Sequence, residues 1–133
     1  MEARVTWKHD ATFDGLAHSG HTIPLDGDPA HADGASPMEV VLIALCGCTA
    51  IDVISILKKK REPFRGLTVS AVAEQAAEPP RVFTDVKLTY RVTGAVSHKA
   101  MEDAVHLSET KYCSVAAMVS KTAKIEFVIE YAG

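Results

Sequence analysis

The 133-residue chain has few cysteines, few aromatic residues and no excess of positive charge. Three cysteines, in a chain whose first residues lack the basic and apolar blocks of a secretion signal, predict reduced thiols and a cytoplasmic protein. A net charge of −3 argues against nucleic acid or an acidic membrane surface as the main partner. At this length we expect one domain over residues 1–133. Aromatic residues make up only 6% of the chain, so we expect its core to be aliphatic.

A long apolar run is also missing. The longest extends from Val40 to Ile51 and is followed by Asp52. It is shorter than the ~20 residues that a membrane-spanning helix needs. We therefore interpret it as part of a buried helix, and we expect no membrane partner.

The first third of the chain shows the alternation of half-buried strands. We predict strands over Ala3–Lys8, Ala11–His18 and Thr22–Leu25. The stretch from Asp26 to Ala35 is rich in Gly, Pro and Asp and has little periodicity, which predicts a mobile loop.

The clearest local signal is Ser36-Pro37-Met38-Glu39, which is typical of a helix start with a capping box. We predict a helix from here to Lys60, where a run of basic side chains complements the negative end of the helix dipole. Its middle is apolar on nearly every side, which predicts burial all round. A second copy of the chain would provide that burial, so we expect a homodimer.

The remaining pattern predicts two strands, two helices and a closing strand. Their expected bounds are Leu67–Ala76, Arg81–Val92, a helix capped by Ser97 to about Thr110, a helix capped by Ser114 to about Lys121, and Lys124–Tyr131. The order βββ-α-ββ-α-α-β indicates an α+β fold with helices on a largely antiparallel sheet.

Two cysteines are candidates for redox chemistry. Cys113 directly precedes a helix start, where free amides and the helix dipole favour a thiolate. Cys48 lies in the long helix, and Asp52 shares its face, where we expect it to hydrogen-bond across the dimer. If the fold joins the two thiols, one can attack a peroxide and the other can condense with the sulfenic acid. The alternative is that each is an inert buried residue; Cys46, about 200° round the helix from Cys48, is best interpreted as core.

Histidine provides the other candidate for ligand chemistry. His18 and His21 lie close in sequence on a strand-turn-strand segment, and imidazole suits zinc or copper. No neighbouring cysteine or carboxylate pattern completes a site, so we predict no metal.

Three segments of the sequence resemble those of a known protein family. The segments Ser36–Glu39, Cys48–Val53 and Ser108–Val115 are similar to the two cysteine segments of the OsmC/Ohr superfamily, and the closest likeness is to its OsmC-like branch. The likeness extends over nearly the whole chain, including Arg81–Thr84. It implies the OsmC-like fold: an intertwined homodimer with antiparallel sheets, two long central helices and active sites at the dimer interface.

The resemblance also implies an activity. Cys48 matches the peroxidatic cysteine and Cys113 the resolving cysteine of a thiol-dependent peroxidase that reduces organic hydroperoxides in oxidative-stress defence. In such proteins the disulfide is reduced by an external dithiol, for example that of a lipoylated protein, and no metal, haem or other cofactor is needed.

One departure from the family separates two hypotheses. The loop in which peroxidase members carry an active-site Arg is here Lys8-His9-Asp10-Ala11. Glu39 lies nine residues before Cys48, on the opposite side of an ideal helix, and is better interpreted as part of the capping box. The pair of cysteines favours a dithiol peroxidase. The missing Arg favours a non-enzymatic protein on the same fold, which binds a small hydrophobic ligand or acts as a redox sensor.

Overall fold

The structure is a computed structural model that describes all residues, 1–133. Its elements follow the predicted order and are β1 (Ala3–His9), β2 (Thr12–Ala17), β3 (Thr22–Asp26), α1 (Pro37–Lys59), β4 (Phe64–Gln75), β5 (Phe83–Gly94), α2 (His98–Leu107), α3 (Ser114–Val119) and β6 (Lys124–Ala132). A π-helical segment, Ser108–Tyr112, follows α2 and is called the π segment below. The contacts divide the chain into two compact units, Met1–Ile43 and Ala44–Gly133. The single domain therefore stays a prediction.

The first unit is built on an antiparallel sheet in the order β1-β2-β3. Every residue of β1 is exposed, including Trp7. The segment after β3 is more ordered than the mobile loop that we predicted. The buried Asp26 carboxylate accepts hydrogen bonds from the backbone N–H groups of Asp28 and Asp33, at 2.8 and 3.1 Å. These bonds lower the pKa of Asp26 and fix the turn.

The predicted capping box begins α1. The Ser36 hydroxyl accepts from the Glu39 N–H, and the Glu39 carboxylate accepts from the Ser36 N–H, at 3.1 and 2.8 Å. The 23-residue helix ends at Lys59, one residue before the predicted end. Only Leu45, Thr49, Val53 and Leu57 are buried, so the expected burial on all sides is not reached within one chain. By length and composition alone, α1 is also long and apolar enough to cross a membrane, as core helices often are.

The second unit holds a sheet in the order β4-β5-β6. Strand β4 pairs antiparallel with β5, but β5 and β6 are parallel, with Asp85 opposite Lys124. The expectation of antiparallel sheets is therefore wrong at β6. The reason is the helical crossover between the two strands, which returns the chain to the end at which β5 begins. Alternate residues of β5 are buried: Val86, Leu88, Tyr90 and Val92.

Ser97 caps α2 as predicted, and its hydroxyl accepts from the Ala100 N–H. Helix α2 ends at Leu107, before the predicted end near Thr110, and the two long central helices of a homodimer stay a prediction. The chain widens into the π segment instead of continuing as an α-helix, a distortion that is frequent at functional sites. The N-cap of α3 is Cys113, not Ser114 as predicted.

Candidate functional site

The structure brings the two predicted cysteines together within the second unit. Cys48 projects from α1, and Cys113 lies at the junction between the π segment and α3. Their sulfur atoms and a carboxylate oxygen of Asp52 all lie within 4.8 Å of one another. A disulfide, with sulfurs about 2.05 Å apart, therefore needs only a local approach of the two side chains. Cys46 is not part of this cluster.

The two thiols differ in exposure. Cys48 is half-buried, whereas the side chain of Cys113 is almost completely enclosed. The half-buried thiol is the one that a small molecule from solvent can reach first.

The chemistry of Cys113 differs from the sequence-based expectation of a favoured thiolate. Burial raises its pKa to about 12, and the nearby Cys48 thiol and Glu109 carboxylate add to the rise. The Ala116 N–H donates to Cys113 Sγ at 3.3 Å and opposes this rise, but the loss of hydration outweighs one amide donor. Cys113 is thus a thiol at neutral pH, and it needs a base before it can act as a nucleophile.

Asp52 has its hydrogen-bond partner within the same chain. Its Oδ2 accepts from the Ser108 hydroxyl at 2.9 Å, so the expected bond across a dimer is not needed to satisfy it. Ser108 itself is fully buried in the first turn of the π segment. The widened turn thus presents a hydroxyl to the carboxylate beside the two thiols.

A buried group of polar side chains adjoins the cysteines and was missed by the sequence analysis. Thr49 Oγ1 lies 2.7 Å from both Tyr90 Oη and Ser108 Oγ. Tyr90 Oη is hydrogen-bonded to Glu109 Oε1 at 2.6 Å, and burial raises the pKa of Glu109. The only sequence signal was the position of Thr49 next to Cys48 and of Glu109 four residues before Cys113. Neither position indicates that the two side chains share one partner on β5.

The cluster of Cys48, Asp52 and Cys113 offers three donor atoms to a thiophilic ion. This is one fewer than a closed tetrahedral zinc site uses. We interpret the cluster as a dithiol with a neighbouring carboxylate. His21 Nδ1 instead lies 3.0 Å from the Ser19 hydroxyl, in the exposed turn between β2 and β3.

Known proteins are similar to this chain in sequence and in fold. A family described as OsmC-like protein matches residues 30–128. Protein YhfA of Escherichia coli K12 is 45% identical over 126 residues, which are 94% of this chain and 93% of that protein.

Two solved structures share the fold at low sequence identity. An OsmC-like protein from Mycoplasma pneumoniae has a TM-score of 0.86 at 14% identity, over 99% of this chain and 96% of that one. An organic hydroperoxide resistance protein from Elizabethkingia anophelis has a TM-score of 0.72 at 12% identity, over 98% and 94%. The two sheets and their helices are thus the mixed α+β fold of these proteins. On the family match, and on the agreement of the fold with it, this chain belongs to the OsmC-like protein family.

Proposed function

We propose that this protein is a thiol-dependent peroxidase that reduces organic hydroperoxides through Cys48 and Cys113. The observation that carries the proposal is the pairing of a half-buried thiol with a buried one, with sulfur atoms within 4.8 Å. A binding pocket has no need of such a pair. A dithiol cycle needs one accessible sulfur and one protected sulfur within reach of it.

The cycle has three steps. The Cys48 thiolate attacks the outer oxygen of the hydroperoxide, which breaks the O–O bond, forms a sulfenic acid and releases an alkoxide that takes a proton to become the alcohol. Cys113, once deprotonated, attacks the Cys48 sulfur, which forms the disulfide and releases hydroxide that becomes water. An external dithiol then reduces the disulfide and is itself oxidised, by way of a mixed disulfide.

The missing active-site Arg bears on the rate of the first step. Two basic residues of the corresponding loop have acidic partners in the first unit: Lys8 lies 3.8 Å from Asp14, and His9 lies 3.0 Å from Asp10. Neither provides the planar fork of donors with which Arg stabilises a thiolate. We therefore expect a slower reaction with peroxide than in relatives that carry the Arg.

A second candidate function is a non-enzymatic one. An open apolar groove runs along α1 beside Ala50, Ile51 and Ile54, with Lys58 at one end, and it suits a small hydrophobic ligand with an anionic group. Alternatively, a non-enzymatic protein would use the thiol pair only as a redox sensor. The missing Arg favours this candidate, whereas the proximity of the sulfurs favours the peroxidase, because ligand binding needs no pair of thiols.

The proposal includes a cytoplasmic homodimer. Ile43 and Ile51 on α1 are 64% and 71% exposed in the single chain. A second copy packed on α1 would remove this apolar surface from water, at roughly 25 cal/mol per Å². A location in the cytoplasm keeps all three cysteines reduced between turnovers.

The test is a thiol count before and after one equivalent of cumene hydroperoxide, with mass spectrometry to locate any disulfide. The proposal expects a rapid loss of two thiols per chain and a Cys48–Cys113 link. Cys48→Ser is expected to abolish peroxide consumption, Cys113→Ser to accumulate sulfenic acid, and Cys46→Ser, the matched control, to change neither. If all three thiols survive in the unsubstituted protein, the peroxidase is excluded and the binding protein remains.

A further inference from the structure

A continuous chain of oxygen atoms joins Asp52, beside the two sulfurs, to Glu109. The links are Asp52 to Ser108 at 2.9 Å, Ser108 to Thr49 at 2.7 Å, Thr49 to Tyr90 at 2.7 Å and Tyr90 to Glu109 at 2.6 Å. Thr49, Tyr90 and Ser108 are completely shielded from solvent. The three hydroxyl groups are thus each other's partners and those of the two carboxyl groups at the ends.

The number of protons shared by these hydrogen-bonded oxygens follows from the distances between them. Each of the four links is an O–H···O hydrogen bond by distance, and each needs one hydrogen between its two oxygens. The three hydroxyl groups supply three hydrogens. If both carboxyl groups were ionised, one link would hold two oxygens within 2.9 Å of each other with no hydrogen between them, buried and repelling. The four hydrogen bonds therefore need a fourth proton, which one of the two carboxyl groups carries.

Two arrangements satisfy all four links. With the fourth proton on Glu109, every group donates towards Asp52; with it on Asp52, every group donates towards Glu109. The two arrangements interconvert when each proton crosses its own hydrogen bond, which transfers one proton from Glu109 to Asp52. Burial raises the pKa of Glu109, which favours the arrangement with the fourth proton on Glu109.

No fixed positive charge competes with this proton. Cys48 and Asp52 face the site from α1, Tyr90 from β5, Glu109 from the π segment, and Cys113 from the start of α3. Neither carboxyl group takes part in a salt bridge. The shared proton is therefore what reduces the charge of the two half-buried carboxyl groups.

We propose that Glu109, Tyr90, Thr49, Ser108 and Asp52 form a proton relay, which gives its fourth proton to the oxygen leaving the hydroperoxide and recovers one from the Cys113 thiol. This inference rests on the proposed function, because it assigns the proton transfers of that cycle. Asp52 is the group that exchanges the proton with the reacting atoms, and the other four residues act through it.

The protons balance over one cycle. Attack by the Cys48 thiolate leaves an alkoxide, which takes a proton from Asp52, and the relay then holds three protons and two ionised carboxyl groups. This state is a strong base because one of its links lacks a hydrogen. It removes the proton from Cys113, which regains the four-proton relay and creates the thiolate that attacks the sulfenic acid. The hydroxide released there combines with the proton that Cys48 lost at the start.

Removing the hydroxyl group in the middle of the relay tests the inference. Thr49→Val has the same shape but breaks the chain, whereas Thr49→Ser keeps the hydroxyl and should restore it. Glu109→Gln keeps the hydrogen bond to Tyr90 but cannot release a proton. Thr122→Val is the matched control, because the Thr122 hydroxyl donates to the Phe83 carbonyl and is outside the relay.

Formation of the disulfide is followed in a single turnover with cumene hydroperoxide, in H₂O and in D₂O. We expect Thr49→Val and Glu109→Gln to slow this step by about 100-fold, the lower end of the ~10²–10⁴ that positioned proton transfer contributes, and to change its solvent isotope effect. Thr49→Ser and Thr122→Val should behave like the unsubstituted protein. Rates and isotope effects that stay normal in the first two variants, while Cys48→Ser is inactive, would overturn the relay and leave the peroxidase intact.

A second measurement does not depend on peroxidase activity. Infrared spectroscopy at neutral pH should show the carbonyl stretch of one protonated carboxyl group, and this band should be lost in Glu109→Gln and kept in Thr122→Val. Absence of the band in the unsubstituted protein would refute the proton count. If the band is present but the protein does not consume hydroperoxide, the proposed function fails, and the relay fails with it as a part of catalysis.

Discussion

Raising the pH of the reduced protein should destabilise it through Cys113. An unfolded thiol has a pKa of ~8.5, whereas burial raises the pKa of Cys113 to about 12. The folded state therefore holds this proton more tightly than the unfolded state does. The stabilisation is complete below pH ~8.5 and is lost progressively as the pH rises towards about 12.

The magnitude follows from the window between the two pKa values. At pH 10 the unfolded thiol has passed its pKa by about 1.5 units, while folded Cys113 remains protonated. At 1.36 kcal/mol per unit, this corresponds to a loss of about 2 kcal/mol in the free energy of unfolding between pH 8 and pH 10. Tyr90 adds little in this range, because an unfolded tyrosine has a pKa of ~10.

The assay is urea denaturation of the reduced protein at pH 8 and pH 10, compared with Cys113→Ala. The variant loses the N-cap acceptor of α3 at both pH values, so only the difference between the two pH values is informative. Burial also raises the pKa of Cys46, but Cys46 is present in both proteins and its effect cancels. An equal loss of stability in both proteins would refute the assignment of a protonated, buried Cys113.

Two further predictions concern α1. Ser36→Ala removes the acceptor of the capping box and should lower the free energy of unfolding by ~1 kcal/mol in urea denaturation, whereas Ser55→Ala, at an exposed position within the helix, should be neutral or slightly stabilising. Ile51→Glu places a charge on the exposed apolar face of α1 and should convert a dimer to a monomer in sedimentation experiments. Met118→Glu, at a similarly exposed residue of α3, is its control. A dimer that tolerates Ile51→Glu would exclude this face as the interface.

The sequence alone was enough to predict the secondary-structure elements and to select Cys48 and Cys113 as the candidate redox residues. Ser36 and Glu39 lie three residues apart, so the capping box and the start of α1 follow from short-range chemistry that no tertiary contact has to supply. The order of the strands and helices follows in the same way from periodicity and from turn residues. The family resemblance, carried by two short cysteine segments, is confirmed by the match over residues 30–128.

Tertiary structure decided the chemistry around those cysteines. Thr49 meets Tyr90 and Ser108 across 41 and 59 residues of sequence, and no local pattern encodes such a meeting. The pKa of Cys113 was predicted in the wrong direction, because the helix start is visible in the sequence but the loss of hydration is not.

The same reason explains the partner of Asp52 and the direction of β6. A hydrogen bond to Ser108 and a parallel pairing with β5 both depend on where the helical crossover returns the chain. The sequence specifies which groups are available for chemistry. Burial and packing then decide which of them carry the protons, because the energy of a charge depends on everything that surrounds it.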